Sequence, residues 1–160
     1  MKISRWIILV VVLVVIGFVG LELLAQATDP LLGTWELNLA KSKIMSEPPP
    51  KSDTRIFAQE GDGLKFTRRA IDATGKPVSV EFIAKYDGKD YPMTGTPDSD
   101  TISMKRIDRF TTESTQKKGG KVVWTNKRVV SADGKTWTLT SHFTNAKGET
   151  VTNVLVFDKK

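Results

Sequence analysis

A chain of 160 residues is long enough for one domain and too short for two. It has no cysteine, which excludes a disulfide framework, a thiolate zinc site and an acylated lipoprotein cysteine, so the folded state must rest on its hydrophobic core. The net charge of +6 favours anionic partners such as lipid headgroups or cell-surface polymers, but the two signs are interspersed, as on an ordinary solvated surface.

The first element is an export segment, residues 1–27. Lys2 and Arg5 precede an apolar run from Ile7 to Leu21, and Ala25-Gln26-Ala27 follows. Basic residues stay on the cytoplasmic side while the apolar run enters the bilayer, and small side chains suit a peptidase cleft. Cleavage would release a chain beginning at Thr28. The apolar stretch reaches Leu24 with Glu22 as its only charge, so an uncleaved anchor is the alternative. Either way residues 28–160 form the folded domain, in the periplasm or outside the cell, with the membrane as a partner where the segment is retained.

After Pro30 the pattern changes to alternation. Trp35, Leu37 and Leu39 alternate with Glu36 and Asn38, which predicts a half-buried strand. Lys41–Lys51 has no period and contains Pro48-Pro49-Pro50, which predicts an extended surface connector. From Ser52 onward one unit repeats, a β-rich run and then a turn. The strands fall at Thr54–Glu60, Leu64–Ile71, Val78–Lys85, Thr101–Ile107, Phe110–Lys117, Val122–Val130, Thr136–Thr144 and Thr150–Asp158, with a short further one near Asp90–Met93. Most of the turns carry glycine beside Asp or Asn, which supply the positive φ of tight hairpins. Sequential hairpins make an up-and-down meander, and a meander loses its exposed edges by closing into a barrel. The expected fold is all-β, a closed antiparallel barrel of eight to ten strands. A Greek-key sandwich would need a long crossover, for which Lys41–Lys51 is the available connector.

Alternation also assigns faces. Leu64, Phe66 and Ala70 share a face with Arg68; Val78, Val80, Phe82 and Ala84 share another. Ile102 and Met104 align with Arg106. Val122, Trp124 and Val130 align with Asn126 and Arg128. Trp137, Leu139 and Phe143 align with Ser141, and Val151, Leu155 and Phe157 with Asn153.

Leu32-Gly33-Thr34-Trp35-Glu36-Leu37 resembles the first-strand motif of lipocalins and fatty-acid-binding proteins, in which Gly-x-Trp opens the barrel. The resemblance implies that Gly33 passes close beneath the barrel and Trp35 plugs it, with a basic side chain from a late strand packed over the tryptophan; Arg128 is the candidate. It departs from the fatty-acid-binding proteins in two places. The proline-rich Lys41–Lys51 cannot form their helical lid, and Leu155-Val156-Phe157 stands where they carry an Arg-x-Tyr carboxylate anchor. The chain also resembles a group of small exported bacterial proteins sharing Gly-Thr-Trp and the segment Tyr86–Pro92, a likeness that implies no activity.

No catalytic constellation, metal site or cofactor motif is present. His142 is the single histidine and is expected at the surface, beside a Ser141 that points to the opposite face. Asp87, Asp90, Asp98 and Asp100 read as turn chemistry, lacking the length and terminal Glu of a calcium loop. Lys105, Arg106, Arg109, Lys117, Lys118, Lys121, Lys127 and Arg128 make a basic middle region that reads as solvated hairpin ends, so no nucleic-acid partner is expected. The leading function is a carrier of a small lipophilic molecule, with Phe66, Phe82, Trp124, Trp137, Phe143 and Phe157 as apolar contacts and Arg68, Arg106, Arg128, Asn126 or Asn153 orienting a polar head. The alternative is a cell-envelope interaction or structural module with a filled core, contacting partners through Tyr86, Tyr91, Pro92 and Pro48–Pro50. An enzyme on the same barrel is the third reading.

Overall fold

The computed structural model describes residues 28–45, 48–145 and 147–160, so the expected export segment lies outside the described residues. Ten strands follow in chain order: β1 (Gly33–Leu37), β2 (Ser52–Glu60), β3 (Gly63–Ile71), β4 (Pro77–Ala84), β5 (Tyr91–Thr94), β6 (Thr101–Arg106), β7 (Thr111–Lys118), β8 (Lys121–Val130), β9 (Thr136–Thr144) and β10 (Thr150–Lys159). Each pairs antiparallel with the next, and β1 closes on β10 from Trp35–Lys159 to Leu37–Phe157. Closure gives every strand two neighbours, which is how a meander escapes unpaired edges. The sandwich is therefore excluded. The wall is thinnest at the short β5, joined to β4 through Glu81–Thr94 and Phe82–Met93 and to β6 through Tyr91–Ile102 and Pro92–Thr101.

Just after β5, Gly95 has φ +85°, and a Cβ built there would stand 1.8 Å from the backbone oxygen of Ser79. Neither the dihedral nor the approach suits an L side chain. Gly95→Ala should cost about 2–3 kcal/mol in urea unfolding, within the range for a forced left-handed residue plus a backbone clash. A loss below about 0.5 kcal/mol would mean that this loop simply moves away.

The predicted inward rows hold, with two exceptions: Leu39, expected to extend the Trp35–Leu37 row, starts a 3-10 turn and is exposed, and Val122 leaves the Trp124 row. The register shifts between Gln116 and Lys117, so Val122 pairs with Lys117 instead of continuing the Trp124 row, and it stands 58% exposed. An extra residue in one strand flips whatever lies beyond it.

The two ends of the barrel differ. At the end where β1 begins, the interior is filled. Trp35 is fully buried and donates its indole N–H to the Leu31 carbonyl at 2.8 Å. It meets Trp137 edge-on at 6.3 Å, and Trp137 stacks on Phe157 at 4.4 Å and abuts Phe57 at 5.8 Å. Gly33 has φ +128°, and a Cβ there would meet the Lys159 side chain at 2.9 Å. The cation over Trp35 is that same Lys159, with Nζ 4.9 Å from the ring centre, and not Arg128. Lys159 reaches the tryptophan because β10 is the strand that pairs with β1; Arg128 is on β8, three strands from β1.

At the opposite end the connector after β1 makes one 3-10 turn, Leu39–Lys41, capped by the Asn38 side chain. It then runs along β10. Lys43 exchanges backbone hydrogen bonds with Val154 at 2.7 and 2.9 Å, and Ser42 Oγ accepts from the Val156 N–H at 2.9 Å. The expected extended connector is thus tied to the wall, and it delivers Ile44, Pro48 and Pro50 to the rim of the interior.

Candidate functional site

Above the aromatic plug lies a cavity of about 340 Å³. The exposed Pro48 and Asp98 stand at its mouth. Phe66, Phe82, Val80 and Met93 form an apolar wall, with the two rings stacked at 4.7 Å. Trp124 and Phe143, half-buried neighbours on β8 and β9, stack at 4.1 Å across the cavity lining. Of the eleven residues expected to contact a ligand, Trp137 and Phe157 belong to the plug below, while Phe66, Arg68, Phe82, Trp124, Asn126, Arg128, Phe143 and Asn153 line this space.

Arg106 does not. It ends its strand at the filled end, where its guanidinium pairs with the Asp29 carboxylate and lies 4.2 Å over the Tyr86 ring. Its face was legible from alternation but its height was not, because strand tilt and stagger decide which inward residues share a level. Tyr86 is accordingly no exposed contact: its hydroxyl donates to Asp29 at 2.9 Å, and burial, then the adjacent Asp29 charge, push its phenol above the ordinary value. Together these groups pin the segment entering β1 under the barrel. His142 is exposed, with Nδ1 2.8 Å from Thr152 Oγ1. Asp87 receives the Lys89 N–H and the Tyr91 hydroxyl, as turn chemistry requires.

Polar groups reach the cavity from two directions. On β2 and β3, Asp53 is buried between two arginines. It accepts from Arg55 Nε at 3.2 Å and Nη2 at 3.0 Å, and from Arg68 Nε at 2.9 Å. Arg55 also lies 4.6 Å over the Phe157 ring, so the trio sits directly on the aromatic plug. Asp53 and Arg55 are additions to the site that the sequence did not single out.

On β8, Arg128 is 4% exposed and has no carboxylate partner among the described residues. Nη1 donates to Ser114 Oγ at 2.8 Å, while Nε has no protein partner. Burial, then repulsion from Arg55, lowers its pKa to about 10. A guanidinium is normally charged far above that pH, so the fold pays to keep this cation inside. Replacing a poorly compensated buried ion with an apolar side chain of similar volume is often stabilising. Arg128→Met should therefore raise the unfolding free energy of the protein by about 1–3 kcal/mol at neutral pH. The folded pKa lies below the unfolded one, so the penalty applies at neutral pH and is relieved as pH rises through about 10. Urea unfolding at both pH values checks this. A destabilised variant at neutral pH would mean that the barrel itself satisfies the arginine.

One comparison speaks to this architecture. The chain is similar to zebrafish ileal bile acid-binding protein, solved in complex with cholic acid, at a TM-score of 0.54 and 16% identity, covering 82% of this chain and 99% of the other. That likeness shows the fold, a closed antiparallel barrel of the same kind, as the lipocalin-like reading of the sequence expected. No protein-family model matches the chain, and no curated protein matches it. Within this barrel, the plug built on Gly33, Trp35 and Lys159 closes one end, and the cavity with Arg128 in its lining occupies the other.

Proposed function

We propose that this barrel binds a small lipophilic molecule with an acidic head in its interior, outside the cytoplasm. The observation that carries the reading is Arg128: a cation sealed into the lining of a cavity that has an apolar Phe66–Phe82 wall, with one neutral hydrogen bond and an unused Nε. An anion seated there would supply the charge that the protein withholds, and charge-assisted hydrogen bonds to a guanidinium are the strong kind. The volume of about 340 Å³ suits a ligand at the small end of the drug-sized range. The similar barrel solved with cholic acid is a precedent for an amphipathic acid in such an interior. Placement outside the cytoplasm rests on the Lys2/Arg5, apolar-run and Ala25-Gln26-Ala27 series.

Titration with the neutral fluorescent dye Nile red tests the interior. Saturable binding is expected in the wild type, with at least a tenfold weaker constant in Phe66→Arg, which would fill the apolar wall with a charged side chain. Absence of saturable binding would return the protein to the filled-core envelope module. Mass spectrometry of the native protein tests export: a chain starting at Thr28, or a full-length membrane-bound form, is expected, and a full-length soluble form in the cytoplasm would overturn it.

A further inference from the structure

We infer that the ligand bears a hydroxyl or carbonyl group partway along one edge, at a set distance from its acidic head, and that plain-chain acids are second-rate ligands. This rests on the interior-binding reading and deepens it. The two sides of the cavity are chemically unlike. The β3–β4 side is the stacked Phe66–Phe82 wall. The β7–β9 side carries, between the Arg128–Leu139 pair and the Trp124–Phe143 stack, a strip of neutral hydrogen-bonding groups at matched heights. Ser114, Asn126 and Ser141 stand directly opposite one another on three successive strands. They are buried and joined: Ser141 Oγ donates to Asn126 Oδ1 at 2.7 Å, and Asn126 Nδ2 leans toward Ser114 Oγ at 3.4 Å.

Such a row does not serve packing. Leu or Val in place of these groups would fill the barrel without the desolvation that buried amides and hydroxyls carry. The mutual bonds leave capacity over: a carboxamide offers two N–H donors and two acceptor lone pairs, and a hydroxyl that donates still has its lone pairs. Asn126 and Ser141 line the cavity, so that capacity faces the space a ligand would fill.

The geometry then fixes a spacing. Arg128 and Asn126 lie on the same face of β8, two residues apart, and strand rise makes that roughly 7 Å. A molecule with its acid on Arg128 and its body against Phe66 and Phe82 would bring the atoms about 7 Å from the acid alongside Asn126 and Ser141. A methylene there strands buried polar groups; an oxygen there satisfies them. Sites built to hydrogen-bond a ligand group discriminate strongly against analogues that lack it.

The test is displacement of Nile red by two competitors, a saturated medium-chain fatty acid and its mid-chain hydroxy derivative. Wild-type protein should take the hydroxy acid about tenfold more tightly than the parent, the worth of one good hydrogen bond plus a satisfied partner. Asn126→Leu should abolish that preference while still binding the parent acid, and Ser141→Ala, the gentler change, should reduce it severalfold. Equal displacement by both acids would overturn the inference and leave interior binding standing. So would a preference that survives both substitutions. Failure of Nile red to bind wild-type protein would overturn the underlying reading itself, a result distinct from either.

Discussion

Trp35→Ala is expected to cost about 3–5 kcal/mol, the usual toll for removing a large, fully buried aromatic. The indole is 0% exposed and serves three purposes at once. Its ring supports the edge of Trp137, which in turn carries Phe157 and Phe57, so truncation undermines the whole plug. Its N–H satisfies the Leu31 carbonyl, and its face holds Lys159 by a cation–π contact. The cavity left behind would be lined by stiff rings that relax poorly, which pushes the cost upward within the range. Urea unfolding followed by the fluorescence of the remaining tryptophans measures it. A loss under about 1 kcal/mol would show that the barrel does not depend on its plug, and would remove the physical content of the Gly-x-Trp motif.

That motif shows why so much of the architecture was legible. Gly33-Thr34-Trp35 joins a local conformational need to a packing need, and both can be read in three letters: φ +128° at the glycine and burial at the tryptophan. The hairpins were equally readable, because Gly134 at φ +68° and Gly148 at φ +81° sit in turns that demand a left-handed residue. On β4, Ser79 and Glu81 alternate with Val78, Val80 and Phe82, so those three declared their face, and Ala84 follows them although the exposed Ile83 breaks the alternation.

The site was less legible where a strand has no clean period. On β2, Ile56 and Phe57 are adjacent apolar residues, so alternation alone does not say whether Thr54–Ile56 or Asp53–Arg55–Phe57 looks inward. Pairing decides it: Trp35 faces inward, Arg55 is its cross-strand partner, and Asp53 follows. That is long-range information, and it is why the Asp53–Arg55–Arg68 trio emerged only with the fold. Lys159 over Trp35 and the height of Arg106 were hidden for the same reason. Both depend on which strands the closed barrel brings together and at what stagger.

The trio supplies the other large expected effect: Asp53→Asn should lose about 3–5 kcal/mol at neutral pH, as when one partner of a buried ion pair is removed. Asp53 Oδ2 accepts from both arginines and Oδ1 from Arg55 alone. An amide must put an NH₂ against one of those donor sets, so the substitution removes charge and also sets donor against donor. Arg55 and Arg68 would then join Arg128 as cations without a carboxylate at the cavity. The dependence on pH has a definite sign. Burial by itself would raise the Asp53 pKa, but the charges and hydrogen bonds of Arg55 and Arg68 outweigh it, and the carboxyl is held below its ordinary 3.8. A carboxyl whose folded pKa is depressed contributes stability that is complete above the unfolded value and is lost as pH falls through the folded one. The gap between wild type and Asp53→Asn should therefore be constant from neutral pH down to about 4–5 and shrink below that, as the wild-type carboxyl takes up its proton. Urea midpoints measured across acid pH for both proteins would show it. A gap that stays constant into strong acid would mean that Asp53 holds its neighbours by shape alone, and that its charge contributes nothing to the fold.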